Sequence, residues 1–381
     1  MTPAVGAEPS SRRVDAALAE RTAANHAFFH AEAERLARLC HRMAERFDRG
    51  GRLVAFGRTP AARSDVRHVA VEFVHPVIVG KRALPAIGLP AEDVGLMVEP
   101  DDVAVAFGDE VADAVGVARG RGCLTLAFAP LEAEWEFMPA VADPSIRQEL
   151  VETLYHVLWE LVHVFFDHLR SNTQGAGASS FLYPFLGERT DDLDAVVDDV
   201  RRSILLKAEE IGALREQTLT DNREVLLTAA AALRATFEAG GQVLAFGNGG
   251  SATDAMDAVA DFRADERRAI DLTEDSAILT AIANDIGTEA IFARQVIAYG
   301  RRGDALLALS TSGNSTNVIA ALAEARRRGL RTIALVGYDG GRVATERLAD
   351  HVVVTRSQHI PRIQEAQASA YHLLVELTSM A

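Results

Sequence analysis

The sequence predicts an α/β fold of two tandem, related domains, each a doubly wound parallel sheet flanked by helices and preceded by a helical segment. Two observations predict this fold. Short continuous apolar runs alternate with helical stretches, which is typical of a parallel sheet covered on both faces, and four sequence phrases recur in the same order. The chain has 381 residues, enough for two domains that each bury a core.

The recurring phrases indicate an internal repeat. The four pairs are GGRLVAFG (50–57) with GGQVLAFG (240–247), HVAVEF (68–73) with DAVADF (257–262), DDVAVAFG (101–108) with GDALLALS (303–310), and IRQELVETLYHVLWELV (146–162) with RIQEAQASAYHLLVELT (362–378). Four matches in one order are hard to obtain by chance, so we infer two related domains.

A stretch rich in Gly, Ser and turn formers, SNTQGAGASSFLYPFLGERT at 171–190, predicts the linker between the domains. The first domain then covers 11–170 and the second covers 191–381. Each begins with apolar residues at helical spacing, over 13–48 and over 192–239. The strands of the second domain are predicted at VLAFG, AIDL, ALLALS, TIALVG and HVVVT. Parallel sheets of this kind bind ligands at the carboxyl ends of their strands.

The composition favours a globular protein of the cytoplasm. Hydrophobic residues make up 49% of the chain, and the net charge of −15 argues against nucleic acid as a partner. The two cysteines, Cys40 and Cys123, stand in unrelated contexts and predict neither a disulfide framework nor a Cys-rich metal site. Residues 1–12 lack the apolar core of a signal peptide. The most apolar stretch, 153–166, is too short for a membrane span, so we expect a buried helix or an oligomer contact.

Two loops of the second domain are suited to bind a phosphate. GNGGS at 247–251 follows a strand and opens a helix, where glycines let backbone N–H groups approach an anion. STSGNS at 310–315 presents four hydroxyls before the next helix, whereas a simple helix cap needs only one. The loop holds no Lys or Arg, which favours holding a sugar phosphate over hydrolysing it. The predicted phosphate ligands are Asn248, Gly249, Gly250, Ser251, Ser310, Thr311, Ser312, Asn314 and Ser315.

STSGNS after a strand, with GNGGS before it, resembles the SIS (sugar isomerase) domain. TAIANDIGTEAIFARQV (280–296) and RIQEAQASAYH (362–372) make the second domain similar along nearly its whole length to the phosphoheptose isomerases. The first domain resembles them more faintly. The resemblance implies conversion of sedoheptulose 7-phosphate to D-glycero-D-manno-heptose 7-phosphate. One alternative is a non-catalytic scaffold that senses sugar phosphate or binds protein, because the same subfamily includes a binder of a replication initiator. Another is an isomerase for a different ketose phosphate.

Isomerisation through an enediol needs one carboxylate and one imidazole beside a bound phosphate. The resemblance places the carboxylate on the helix after the first loop and the imidazole on the C-terminal helix. In the second domain these positions hold Asp261, where the family has Glu, and His372. The resemblance also assigns Asn284, Asp285 and Gln364 to the substrate.

The resemblance further implies a zinc ion held by a His, a Glu four residues on, a Gln, and a His eight residues after that Gln. The first domain has these residue types at these spacings: His68, Glu72, Gln148 and His156. Glu72 and His156 are also its candidate acid–base pair. In the second domain Asp257 replaces the first His. The alternative is that the two histidines are ordinary, partly buried side chains and Glu72 an ordinary helix carboxylate.

The phosphate loops of the first domain are altered. Arg58-Thr59-Pro60 replaces the glycine-rich turn, and Gly108-Asp109-Glu110 stands in place of STSGNS, where two carboxylates would repel a phosphate. In the resembled family the sites lie at subunit interfaces of a homotetramer, which a fused chain could rebuild as a homodimer. We therefore hypothesise that the second domain holds the phosphate while either domain supplies the acid–base groups.

Overall fold

A computed structural model describes residues 7–77, 81–171 and 193–380, which form two compact units. The first unit is Ala23–Glu210, and the second combines Met1–Thr22 with Ile211–Ala381. The predicted linker lies outside the described residues except at its first position, so the predicted domain boundaries there stay predictions.

Helices α1 (Ala7–Asp48) and α6 (Leu193–Asp221) each contribute to both units. On α1, Val14 and Ala17 are buried in a core of the second unit, whereas Phe29 and Leu36 are buried in a core of the first. The helical periodicity predicted the helix but not this division, because an apolar stripe does not specify which core it covers.

The described residues confirm the predicted α/β fold. The first unit continues with β1 (Leu53–Gly57), α2 (Pro60–Val74), β2 (Ala86–Pro90), α3 (Val94–Met97), β3 (Val103–Ala106), α4 (Ala112–Gly120), β4 (Leu124–Ala127), β5 (Trp135–Glu136) and α5 (Pro144–Ser171). The second unit follows with α7 (Arg223–Glu238), β6 (Val243–Phe246), α8 (Gly250–Ala264), β7 (Ala269–Asp271), α9 (Ser276–Asp285), α10 (Ile291–Tyr299), β8 (Ala305–Ser310), α11 (Thr316–Arg328), β9 (Arg331–Gly337), α12 (Gly341–Thr345), β10 (His351–Thr355) and α13 (Ile360–Ser379).

Both units order their parallel strands in the same way. The first sheet runs β2-β1-β3-β4-β5, and the second runs β10-β9-β8-β6-β7, which is the same order written from the other edge. The register agrees as well, since Leu53 pairs with Val103 in one sheet and Val243 pairs with Ala305 in the other. The repeat seen in the sequence is therefore a repeat of topology.

The central strands of each sheet are buried on both faces. In β6, Val243 and Ala245 point into one apolar cluster and Leu244 and Phe246 into another, because successive side chains alternate across a strand. This burial explains why the strands are continuous apolar runs. The two units differ between their second and third strands: the first has only a short 3-10 turn and the four-residue α3, where the second has α9 and α10.

No helix among the described residues has the length and apolar character needed to cross a lipid bilayer. The apolar stretch 153–166 lies within α5, and every side chain in it is buried. This outcome agrees with the expectation of a buried helix.

A side chain forms hydrogen bonds with the outer edge of β10, an edge strand of the second sheet. Asn222, between α6 and α7, donates from Nδ2 to the carbonyl of Val354 at 3.0 Å and accepts from the Val354 N–H at 2.9 Å through Oδ1. The amide thus satisfies the main-chain groups that the next strand would otherwise pair with. Asn222 is itself buried.

We expect Asn222→Ala to lower the free energy of unfolding by about 2–3 kcal/mol, because it leaves the N–H and C=O of Val354 without this partner. The measurement is urea-induced unfolding of the full chain. Asn284→Ala, the same substitution at an exposed position of the second unit, should cost less than about 0.5 kcal/mol. Equal losses in the two variants would contradict the edge-strand role.

Candidate functional site

The two predicted phosphate loops leave neighbouring strands. The first predicted loop (247–251) runs from the end of β6 into α8, and the second (310–315) runs from the last residue of β8 to the start of α11; these two strands pair directly. Asn248 and Asn317 exchange two amide hydrogen bonds of 3.0 and 2.9 Å, which tie the first loop to the start of α11. The structure therefore brings the two loops together at one edge of the sheet, as the sequence predicted for strand ends.

Close backbone contacts require the glycines of these loops. A Cβ at Gly247 would lie 2.2 Å from the carbonyl oxygen of Ser251, and one at Gly313 would lie 2.3 Å from that of Gly340. Gly313 also has a φ of +61°, which favours glycine. These tight turns hold the hydroxyl-bearing residues of the second loop (310–315) close to the first loop (247–251). The two loops together are called the phosphate cup below.

The hydroxyls of the second loop are ordered but able to donate. The Ser310 Oγ accepts from the Gly313 N–H at 3.1 Å, and the Ser312 Oγ accepts from the Asn314 N–H at 3.2 Å. Because both oxygens act as acceptors here, each O–H can still donate to an anion. Ser315 is the N-cap of α11, and within the described chain its side chain makes no capping hydrogen bond. The start of this helix is thus suited to an anion.

The second unit also contains a cluster of two carboxylates and an imidazole. The Nε2 of His372 on α13 lies 3.2 Å from Oδ2 of Asp257 and 3.5 Å from Oδ2 of Asp261, both on α8. The Tyr371 hydroxyl donates to the same Asp257 oxygen at 2.8 Å. The spacing of four residues places both aspartates on one face of α8, toward α13.

The two aspartates differ in exposure. The side chain of Asp261 is 29% exposed, whereas those of Asp257 and His372 are each 2% exposed. Asp261 is therefore the more accessible of the two carboxylates, and the closer contact of the imidazole is with the buried Asp257. These three residues have donor atoms close enough together to hold a metal ion as well.

The remaining predicted substrate residues of this unit lie in two places. Asn284 and Asp285 are exposed at the end of α9, where the Asn284 amide donates to the Asp285 carboxylate at 2.8 Å. Gln364 is buried on α13, eight residues before His372.

The first unit brings three of its four predicted zinc ligands together. The Nε2 atoms of His68 and His156 are 3.4 Å apart, and His68 Nε2 lies 3.9 Å from Oε1 of Glu72. All three side chains are buried, with His68 and Glu72 on α2 and His156 on α5. The fourth, Gln148, donates from Nε2 to Oδ1 of Asp65 at 3.0 Å.

In the altered loops of the first unit, side chains bond to other groups of the same unit. Arg58 makes a bidentate pair with Asp113 at 2.9 and 2.8 Å, which holds the pKa of that carboxyl below its usual range. Thr59 caps α2 by accepting from the Ala62 N–H at 3.1 Å, and Pro60 has no N–H to offer. At this helix start the Ala62 amide is thus occupied, and Pro60 offers none.

Three residues that shape the sites escaped the sequence prediction: Tyr371, Tyr155 and Asp65. Tyr155 donates to Asp65 at 3.4 Å, as Tyr371 donates to Asp257. The Tyr-His dipeptide found at the same position in both copies of the repeat, at 155–156 and 371–372, was the available signal.

Comparison with known proteins locates these sites in a family. The sequence model of the protein family described as "SIS domain" matches residues 208–337. The phosphoheptose isomerase of Chlorobium phaeobacteroides is 43% identical over 196 residues, 49% of this chain and 84% of that protein. That of Pelodictyon phaeoclathratiforme is 42% identical over 201 residues, 50% of this chain and 90% of that protein.

A solved structure resembles nearly the whole chain. The C-terminal domain of glucosamine-fructose-6-phosphate aminotransferase from Francisella tularensis aligns with a TM-score of 0.61, covering 95% of this chain and 93% of its own. The sequence identity is 10%, so this likeness concerns the fold alone.

We expect Gly313→Ala to lower the free energy of unfolding by about 2–4 kcal/mol, because the methyl group meets the Gly340 carbonyl and the backbone is left-handed. Gly303→Ala is the matched control, since Gly303 has a φ of +94° but no atom within 4 Å of the position that a methyl group would take. The control should lose about 1 kcal/mol through backbone strain alone. Thermal or urea unfolding of both variants measures the difference, and equal losses would contradict the close packing of the loop.

Proposed function

The chain belongs to the SIS-domain family, and on that premise we propose that its second unit isomerises a phosphorylated sugar, with sedoheptulose 7-phosphate as substrate and D-glycero-D-manno-heptose 7-phosphate as product. The observation that carries the proposal is the pairing of a hydroxyl-rich phosphate cup with a carboxylate–imidazole cluster in one unit. Identity above 40% to phosphoheptose isomerases supports the sugar class.

The phosphate binds at the start of α11 in this proposal. Ser310 and Ser312 donate hydrogen bonds to it through their hydroxyl groups, and the helix N-terminus adds partial positive charge. Neutral donors of this kind hold the phosphate as a handle, and the binding energy positions the carbons to be isomerised.

Asp261 and His372 divide the proton transfers. The partly exposed Asp261 carboxylate removes the proton from the carbon next to the carbonyl, and the enediol forms. His372 then moves a proton between the two oxygens, and the proton returns to the neighbouring carbon. Asp257, held by the Tyr371 hydroxyl, keeps the imidazole oriented toward this cluster.

A second candidate function is a sugar-phosphate-sensing scaffold without catalysis. The observation that favours it is Asp261 itself, because an aspartate reaches one methylene less far than the Glu of the resembled enzymes, and a displacement of about 1 Å can cost on the order of 100-fold in rate. In either case we propose a homodimer acting in the cytoplasm, on the strength of the family resemblance.

Zinc is proposed for the first unit. Tetrahedral zinc with bonds of about 2.0–2.1 Å places its ligands roughly 3.3–3.5 Å apart, and the His68–His156 separation is 3.4 Å. Glu72 at 3.9 Å completes a buried nitrogen and oxygen donor set of the kind zinc prefers. The ion would cross-link α2 to α5 and so stabilise this unit.

Turnover of sedoheptulose 7-phosphate tests the catalytic proposal. We expect Asp261→Asn and His372→Gln each to lower kcat by about 10²–10⁴-fold, the usual contribution of a general acid or base. Asp221→Asn, an exposed acid of the same unit away from the cluster, should change kcat less than about twofold. An inactive wild type whose melting temperature rises with the sugar phosphate would support the scaffold, and neither turnover nor stabilisation would reject both functions.

Elemental analysis of purified full-length protein tests the zinc proposal. We expect about one zinc per chain in the wild type and a loss of it in His156→Gln, with a chelator lowering the melting temperature of the wild type only. His163→Gln is the matched control, because His163 lies on the same helix, is buried, and bonds to main-chain carbonyls of Trp159 and Arg82. Wild-type protein without zinc after dialysis against the metal would contradict the site.

A further inference from the structure

The first unit contains a cavity of about 460 Å³ at the carboxyl ends of β1, β3 and β4. This is the place where the second unit carries its phosphate cup. Two aromatic rings line it, Phe107 and Phe128, with centroids 5.1 Å apart. Cavities of this volume with apolar walls and a few polar groups are the usual form of small-molecule sites.

The lining of the cavity disfavours a phosphate. At the helix start that would hold the anion, Thr59 occupies the Ala62 amide and Pro60 has no N–H, and Asp109 lines the cavity where the second unit has its serine loop. A carboxylate at that position repels a negatively charged group. The altered loops therefore change the preferred charge of the ligand and leave the cavity itself in place.

A buried carboxylate also lines the cavity. Asp65 is 7% exposed, and its Oδ1 accepts from the Gln148 amide at 3.0 Å and the Tyr155 hydroxyl at 3.4 Å. These two neutral donors fix the orientation of the carboxylate. Asp254 is its counterpart in the repeat, so the ligand class is decided by the combination of Asp65 with Asp109 and the aromatic wall.

We propose that this cavity binds a small organic cation, a primary amine with an apolar or aromatic body. The ammonium group pairs with the Asp65 and Asp109 carboxylates, and the apolar body packs on Phe107 and Phe128, whose ring faces also attract a cation. Arg147 lines the cavity too, but its side chain is exposed and its Nη2 donates to the Val141 carbonyl at 3.0 Å. Solvent screens the exposed Arg147 and Asp109 charges alike, so the buried Asp65 carboxylate is the main partner of the ammonium group.

Calorimetric titration of the full chain tests the proposal with three probes of similar size. We expect saturable binding of 2-phenylethylamine at one site per chain, at least about tenfold tighter than 2-phenylethanol, and no binding of phenyl phosphate at this site. Asp65→Asn should weaken the amine about tenfold or more, as expected for loss of a buried ion pair. Equal affinity for the amine and the alcohol, or no amine binding, would overturn the proposal.

A charge reversal at the exposed Asp109 keeps the test decisive if Asp65→Asn does not fold. Asp109→Lys should weaken the amine about tenfold, while Glu134→Lys, the same change at an exposed position outside the lining, should leave its affinity unchanged. If Asp109→Lys and Glu134→Lys bind the amine equally well, the cavity is not the site and the proposal fails. The outcome is independent of isomerase activity, which the second unit carries.

Discussion

The pairing of the first and third strands of each sheet is the constraint on which both sites depend. In a parallel sheet buried on both faces, only the strand ends are open to a ligand, and β6 with β8, like β1 with β3, brings two loops to one point. The strands of the two units keep the same order and register. What distinguishes the units chemically is therefore confined to the loops and to the helices that start from them.

The two units carry different side chains at corresponding positions. The second unit has the hydroxyl-rich loop and places Asp257 and Asp261 opposite His372. The first has altered loops and places His68 and Glu72 opposite His156. Two buried imidazoles can bind a metal ion through their nitrogens, and two aspartates can accept hydrogen bonds from a protonated imidazole. The charges within each set are therefore complementary. Mixing them would leave a buried charge without a suitable partner.

The sequence alone was sufficient to predict the repeat, the strands and the loops. Each of these predictions rests on local patterns, namely apolar runs of strand length and glycine-rich turns. It was not sufficient for Asp65 and Tyr155, which meet across 90 residues of chain, or for the Tyr371–Asp257 bond, which spans 114. Such pairs are set by how helices pack on the sheet. The division of α1 between two cores was hidden for the same reason.

The two aspartates of α8 show how a substitution can change a role without abolishing a site. Asp257 stands where the family resemblance implies a metal-binding histidine, and its position is fixed because Tyr371 and His372 both contact one of its oxygens. A carboxylate so held aligns the imidazole as a metal otherwise would. Asp261, at 29% exposure, is the more accessible of the two carboxylates. The arrangement of these three side chains is thus compatible with the proposed acid–base chemistry.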